Sequence, residues 1–121
     1  MPAIDQGGVY QVADAEVVFV PSAGRTTHES RFVVVVSGPR TNDDPTWPLV
    51  LVVPCSGQST YKTALCVKLN YGDGNLQRKC WARVPAVQAL QKVTLADRIG
   101  KLPEPKLEEI LTRLVEYLGI T

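Results

Sequence analysis

Two polar side chains, Arg31 and Ser56, stand beside the most apolar segments of the sequence. Arg31 immediately precedes the run FVVVV at 32–36, and Ser56 follows soon after the run LVLVV at 49–53. Such runs predict strands that are buried on both faces of a sheet, and two rigid strands would hold Arg31 and Ser56 near each other. Because a guanidinium and a hydroxyl both donate hydrogen bonds to phosphate oxygens, the pair suits a phosphate ligand. Alternatively, both runs are core strands whose ends happen to be polar.

The composition predicts one globular domain over residues 1–121, with 45% hydrophobic and 21% charged residues. No apolar run approaches the roughly 20 residues that span a bilayer, and the N-terminus lacks the pattern of a signal peptide. We therefore expect a cytoplasmic protein that does not enter the membrane. The three cysteines, Cys55, Cys66 and Cys80, match neither a disulfide framework nor a paired zinc motif. We interpret them as small buried hydrophobes.

Known catalytic signatures are missing from the sequence. There is no Gly-rich phosphate loop, HExxH motif, nucleophile elbow or acidic cluster for a divalent ion, and we predict neither a metal site nor a cofactor. The charge, in contrast, is unevenly distributed. Residues 60–92 hold six basic residues and one acidic residue, whereas the net charge of the whole chain is +1. This segment is either a phosphate-facing surface or an ordinary solvated one.

The hydrophobic pattern predicts several short strands and one helix. We place the strands at 9–12, 16–20, 32–36, 49–53, 64–69, 80–84 and 87–93, the loops at 21–30 and 38–48, and a turn at 71–75. Residues 16–20 are either a second strand or the stem of a long hairpin. Pro54 should end the fourth strand, because proline cannot donate to a sheet ladder. The helix should begin near Pro103 and end at Gly119. Its apolar stripe consists of Leu107, Ile110, Leu111, Leu114 and Leu118.

Three blocks of the sequence together resemble the MazF/PemK family of toxin endoribonucleases. They are Arg31 with FVVVVSG, the segment VLVVPCSGQS, and RIGKLPEPKLEEILTRLVEYLGI near the C-terminus. Their order and separation carry the resemblance, which extends from Gly8 to Ile120. It implies a mainly β fold with α, namely a small SH3-like barrel of the CcdB/PemK type with a C-terminal helix packed on it. It also implies a homodimer that binds single-stranded RNA along the dimer groove, with a cognate antitoxin as protein partner.

The resemblance also implies which residues are functional. Family members are similar in placing a catalytic arginine and a catalytic threonine where this chain has Arg31 and Ser56, so we predict these two as catalytic. The chain departs from the family in the loop 21–30, which lacks the usual Gly-Ser-Glu-Gln motif, and in CWARVPAVQ at 80–88, which lacks a Gln-centred motif. The predicted RNA-binding residues are His28, Glu29, Trp47, Gln58, Ser59, Lys62, Arg78 and Lys79.

Two of these predicted residues have a second interpretation. His28, the only histidine, is either an auxiliary proton carrier or a solvated loop residue. Trp47 either stacks on a base or packs over the mouth of the barrel.

The activity implied by the resemblance is metal-independent cleavage of single-stranded RNA to a 2′,3′-cyclic phosphate and a 5′-hydroxyl. No protein nucleophile is needed, because the ribose 2′-hydroxyl attacks the adjacent phosphorus while the protein aligns the groups and stabilises charge. Two alternatives belong to other functional classes. One is a non-catalytic toxin on the same fold, similar to the CcdB gyrase poisons, and the other is an SH3-like interaction module. Incubation with RNA in excess chelator separates them, because only the endoribonuclease cuts.

Overall fold

A computed structural model of the chain describes residues 3–19, 30–58 and 62–120. These residues form seven strands, two helices and four short 3₁₀ turns. The strands are β1 (Gly8–Ala13), β2 (Ser30–Val35), β3 (Leu49–Ser56), β4 (Val67–Leu69), β5 (Cys80–Ala82), β6 (Gln88–Gln91) and β7 (Arg98–Lys101). The helices are α1 (Pro39–Asn42) and α2 (Glu104–Tyr117), and the 3₁₀ turns are Asp14–Glu16, Asp73–Asn75, Val84–Ala86 and Lys92–Thr94. The predicted fold class, mainly β with a C-terminal helix, is confirmed.

Strand β3 is the centre of a curled antiparallel sheet with the order β4-β5-β3-β2-β1-β7. On one side β3 pairs with β2. On its other side, the first half of β3 pairs with β6 and its last two residues pair with β5. The C-terminal end of β3, which carries Ser56, is therefore held between β2 and β5.

Successive residues of β2 are buried on opposite faces of the sheet. Val34 packs in one core with Ile110 of α2, whereas Val33 and Val35 belong to a second core on the other face. All three valines are fully buried, so the prediction of a strand covered on both faces is confirmed for β2. In β3, Leu51 is 36% exposed. That strand is therefore covered on both faces only beyond Leu51.

Helix α2 packs on the sheet through Leu107, Ile110 and Leu114, which are buried. The predicted stripe is wrong at Leu118, which is 58% exposed and follows the last helical residue. Gly119, with φ of +76°, ends the helix as predicted, because glycine adopts this left-handed conformation without steric cost. Among the described residues, no helix is both long enough and apolar enough to span a membrane.

We expect Ile110→Ala to lower the free energy of unfolding by about 2–5 kcal/mol, because Ile110 is fully buried and its truncation leaves a cavity. Leu118→Ala is the matched control, and its effect should stay below about 0.5 kcal/mol. Urea denaturation followed by circular dichroism measures both variants. Equally small losses would contradict the packing of α2 on the sheet.

Strand β3 continues through Pro54 to Ser56, so the prediction that the chain leaves the sheet at Pro54 is wrong. The proline lies where the neighbour of β3 changes from β6 to β5. Its carbonyl accepts the backbone N–H of Arg83 at 2.9 Å. Since the missing N–H falls in the gap between two partner strands, it removes no ladder bond. Ser56 is consequently a strand residue with a fixed position.

The predicted strand at 16–20 is wrong in its described part. Asp14–Glu16 forms a 3₁₀ turn, and the chain at 17–19 follows without strand pairing. The carbonyl of Asp14 accepts the backbone N–H of Val17 at 3.1 Å, while the buried Asp14 side chain binds Arg31. The 3₁₀ turn and a buried side-chain ion pair therefore coincide at Asp14, and the local apolar pattern of the sequence reveals neither.

The predicted loop at 38–48 contains the short helix α1, whose end is fixed by a buried lysine. The Nζ group of Lys92 donates to the carbonyls of Thr41 and Asp44 at 2.7 and 2.8 Å. Lys92 is only 9% exposed. This member of the basic segment 60–92 therefore stabilises the fold and does not face a ligand.

The remaining strands are shorter than predicted, and one strand is missing from the prediction. β4 begins at Val67, β5 ends at Ala82, and β6 covers Gln88–Gln91. Strand β7, which pairs with β1 through a register shift, is absent from the sequence-based assignment because it has no extended apolar run. The turn predicted at 71–75 is confirmed by positive φ angles at its glycines and Asn75.

Candidate functional site

Arg31 and Ser56 lie side by side on adjacent strands. The pairing of β2 with β3 sets Val33 opposite Pro54, and continuing this register by two residues sets Arg31 opposite Ser56. Opposite residues have their side chains on the same face of a sheet, with Cβ atoms roughly 4.5–5.5 Å apart. The Nη1 group of Arg31 also donates to the carbonyl of Cys55 at 3.0 Å. The structure thus brings the two predicted catalytic residues together.

The guanidinium of Arg31 is held from three directions. Its Nε donates to Oδ1 of Asp14 at 2.7 Å, its Nη1 donates to Cys55, and its central carbon lies 4.4 Å from the centroid of the Phe19 ring. The side chains of Asp14 and Arg31 are 1% and 9% exposed, so the ion pair is buried. A guanidinium has five N–H donors, and the two bonds seen among the described residues leave the Nη2 end for a ligand. Arg31 is therefore a preorganised cation.

The hydroxyl of Ser56 is oriented by the backbone that follows it. Its Oγ accepts the N–H of Gln58 at 3.3 Å, and the side chain is half-buried. A serine hydroxyl has one donor and two acceptor positions, so this bond leaves its hydrogen able to donate. Ser56 therefore presents a donor beside the Arg31 guanidinium.

A second arginine, Arg83, belongs to the same cluster and is missing from the residues predicted from the sequence. Its guanidinium carbon lies 5.9 Å from the centroid of the Phe19 ring, and its Nη2 donates to the carbonyl of Gln58. Two guanidinium groups thus lie against one aromatic ring near Ser56. The sequence shows Arg83 only as part of a basic segment, since its place depends on the pairing of β3 with β5.

The face that carries Ser56 continues into an open cleft of about 600 Å³. Strand pairing sets Ser56 opposite Trp81, and Trp81 opposite Lys68. The Nζ group of Lys62 lies 5.2 Å from the centroid of the Trp81 ring. Glu109 of α2 also lines the cleft. The structure places the predicted residue Lys62 beside the site, and it adds Trp81, which the sequence-based prediction missed.

The other predicted RNA-binding residues are distributed differently. Trp47 is 48% exposed, but it precedes β3 and so lies at the opposite end of that strand from Ser56. Arg78 and Lys79 are exposed in the segment that leads into β5. Three predicted residues lie outside the described part of the chain: His28, Glu29 and Ser59.

Cys55 and Cys80 contact each other beneath the site. The hydrogen bond with Cys80, together with burial, raises the pKa of the Cys55 thiol well above its ordinary value, so this thiol stays protonated at neutral pH. Both cysteines are free and buried, as predicted. Cys66 is only half-buried, because it belongs to the exposed segment before β4.

Within residues 3–19, 30–58 and 62–120, no group of three His, Cys, Asp or Glu side chains is arranged to hold a metal ion. Beside the carboxylate of Glu109, the polar groups that the site presents include guanidinium, hydroxyl and ammonium groups. These donors bind and orient anionic ligands such as phosphate.

Solved structures of an endoribonuclease and of MazF proteins share this fold. A mycobacterial endoribonuclease in complex with its cognate antitoxin is 21% identical, with 98% of this chain and 96% of that chain covered and a TM-score of 0.69. A MazE–MazF structure from Deinococcus radiodurans is 16% identical, with both chains covered completely and a TM-score of 0.73. The Mycobacterium tuberculosis toxin MazF-mt6 is 13% identical, with 93% and 96% covered and a TM-score of 0.70. No curated protein matches the chain significantly.

The family model of PemK-like, MazF-like toxins matches residues 7–118, which is nearly the whole chain. This match agrees with the resemblance carried by Arg31, Ser56 and the C-terminal helix. The chain therefore belongs to the family of PemK-like, MazF-like toxins of type II toxin–antitoxin systems.

Proposed function

We propose that the protein is an endoribonuclease that cleaves single-stranded RNA without a metal ion and leaves a 2′,3′-cyclic phosphate and a 5′-hydroxyl. The observation that carries the proposal is the placement of a restrained guanidinium, Arg31, beside the hydroxyl of Ser56 on adjacent strands. Membership of the toxin family supports it. Further support comes from the mycobacterial protein of the same fold, which is itself named an endoribonuclease.

RNA supplies the nucleophile for this reaction. The ribose 2′-oxygen forms a bond to the adjacent phosphorus, and the bond from that phosphorus to the 5′-oxygen breaks. One proton leaves the 2′-hydroxyl and one proton reaches the departing 5′-oxygen, so charge and atoms balance. The protein has to align the 2′-oxygen with the phosphorus and to stabilise the negative charge that builds on the phosphate oxygens.

Arg31 suits charge stabilisation because its donors are fixed before the substrate binds. Asp14 and Cys55 hold its Nε and Nη1 groups, so its Nη2 end needs little reorganisation as charge develops. Ser56 donates to a phosphate oxygen or relays a proton between the reacting oxygens. Arg83 adds a second cation on the same aromatic ring. Neither arginine acts as the general base, because a guanidinium does not lose its proton in proteins.

The proposal includes two protein partners. The mycobacterial structure contains a toxin with its cognate antitoxin, and one Deinococcus structure is a MazE–MazF complex. We extend the antitoxin partner to this chain, and on the family resemblance we add a homodimer whose groove holds the RNA. A twofold dimer is also the commonest symmetric assembly of soluble proteins.

Wild-type protein should cut a mixed-sequence RNA in excess EDTA, because the reaction uses the 2′-hydroxyl and protein donors only. A 2′-deoxy strand of the same sequence is the matched control and should stay intact, since it lacks the nucleophile. Labelling of the new 5′ ends by polynucleotide kinase without prior phosphatase treatment identifies 5′-hydroxyls. Intact RNA under these conditions would contradict the proposal.

Ser56→Ala should lower the single-turnover cleavage rate at least about tenfold, because a hydrogen bond to a charged group is worth about 1.5–3 kcal/mol. Ser56→Thr keeps the hydroxyl and should cleave at close to the wild-type rate. Gly57→Ala is the control for a local change, since a Cβ atom there meets no atom of the described residues within 4 Å. An alanine variant at position 56 as fast as wild type would remove Ser56 from the mechanism.

A further inference from the structure

We propose that the cleft beside Ser56 binds the base of the nucleotide next to the scissile phosphate, stacked on the indole ring of Trp81. The inference rests on the proposed function, because it identifies a second subsite for the same RNA. It assigns Trp81 and Glu109, neither of which the sequence motifs single out.

The first observation is the position of Trp81 in the sheet. Strand pairing sets Ser56 opposite Trp81 and Trp81 opposite Lys68 across β3, β5 and β4. The register of β2 with β3, continued by two residues, sets Arg31 in the same row. Opposite residues share a face, and neighbouring strands are about 4.8 Å apart. Trp81 therefore lies one strand spacing from the hydroxyl of Ser56. A nucleotide whose phosphate contacts Ser56 thus has its base within reach of the indole.

The second observation is the chemistry of the cleft. Trp81 is half-buried, and the Lys62 ammonium already occupies a position over its ring at 5.2 Å. The open volume of about 600 Å³ is ample for a nucleobase. An entering base replaces the ammonium over the ring, and Lys62 and the exposed Lys68 then pair with the flanking phosphates. The aromatic ring of Trp81 is thus suited to stack on a base, and the two lysines are suited to bind the phosphates on either side of that base.

Glu109 gives this subsite a preference among bases. Its side chain is exposed and lines the cleft, and no ion pair joins it to another described residue. A carboxylate only accepts hydrogen bonds. Guanine presents two adjacent N–H groups on its Watson–Crick edge, whereas uracil and thymine present one N–H between two carbonyls. We therefore expect guanine to bind better than thymine or uracil.

The test uses a strand of ten abasic deoxyribose phosphates that carries guanine, thymine or no base at its centre. The three probes have the same phosphates and cannot be cleaved, so fluorescence anisotropy isolates the contribution of the base. Wild-type protein should bind the guanine probe at least about tenfold more tightly than the fully abasic probe, as expected for one base on an aromatic ring.

The variants identify the residue responsible. Trp81→Leu should bring the ratio of the guanine and abasic affinities close to one. Trp81→Phe keeps an aromatic ring and should retain most of the preference for the guanine probe. Tyr117→Leu, which removes an exposed aromatic side chain from α2, is the control and should leave the ratio unchanged. Glu109→Gln should reduce the preference for guanine over thymine, and the exposed neighbour variant Glu108→Gln should not.

A ratio of the guanine and abasic affinities unchanged by Trp81→Leu would overturn the inference. So would binding of a poly-glutamate peptide at the cleft without base-dependent binding, since the occupant would then be a protein. The probes cannot be cleaved, so they test base binding separately from cleavage. If binding depends on the base but RNA stays intact in the chelator experiment, the cleavage proposal is refuted and the base-binding inference is not.

Discussion

Replacing Arg31 with alanine should lower the single-turnover cleavage rate about 10²–10³-fold, the loss typical of removing one preorganised donor to a developing oxyanion. The charge that Arg31 stabilises is greatest in the transition state. Affinity for an uncleavable 2′-deoxy strand should therefore fall much less than the rate. Rapid-mixing cleavage of one defined RNA, with anisotropy on its deoxy counterpart, measures both quantities.

Arg31→Lys tests whether cleavage needs the forked shape of the guanidinium or only its positive charge. Lysine keeps a positive charge near Asp14, but a point charge cannot reproduce the fork that binds Asp14, Cys55 and a phosphate at once. We expect a loss of rate nearly as large as for alanine. Arg98→Lys is the matched control, because Arg98 forms a 2.7 Å ion pair with Asp5 at the exposed surface. Wild-type cleavage by Arg31→Lys would refute the role of the fork.

Asp14→Ala should lower the free energy of unfolding by about 3–5 kcal/mol, because it leaves the Arg31 guanidinium buried without its carboxylate. Asp14→Asn keeps an oxygen that accepts from Nε and should cost less. Chemical denaturation measures the loss, and cleavage at a temperature where the variants stay folded reports the positioning of Arg31.

The double variant Asp14→Ala with Arg31→Met tests whether the loss comes from the unpaired charge. Since the double variant no longer buries the unpaired guanidinium of position 31, it should be more stable than Asp14→Ala alone. Glu116→Ala is the control, because Glu116 pairs with Arg113 at an exposed helix surface, where an ion pair is worth at most about 1 kcal/mol. If Asp14→Ala costs no more than Glu116→Ala, the buried pair does not stabilise the fold.

The strands and the helix that carry the site can be predicted from the sequence, because the patterns that specify them involve only neighbouring residues. The apolar runs predict β2 and β3 since a strand buried on both faces needs consecutive aliphatic residues. The apolar stripe of α2 predicts its packing residues Leu107, Ile110 and Leu114, because residues three or four positions apart lie on the same face of a helix. The positions of Arg31 and Ser56 at the ends of these runs, together with the family resemblance, are enough to select them as catalytic candidates.

Other features depend on which strands pair, and strand pairing is not a local property. Pro54 remains in β3 because its neighbour changes there from β6 to β5. Arg83 and Trp81 approach Ser56 because β5 pairs with the end of β3. Asp14 directly follows β1, and its carboxylate binds Arg31, which is 17 residues away in the sequence.

By itself, the sequence determined the strands β2 and β3 and the helix α2, because hydrophobic runs and periodicity act over a few neighbouring residues. The two candidate catalytic residues came from the family resemblance of the sequence motifs. Only the tertiary structure decided that Asp14 holds Arg31, that Arg83 shares the ring of Phe19, and that Lys92 is a buried structural cation. These contacts join residues from separate strands and turns. Their formation depends on the register of a sheet in which three strands meet along β3.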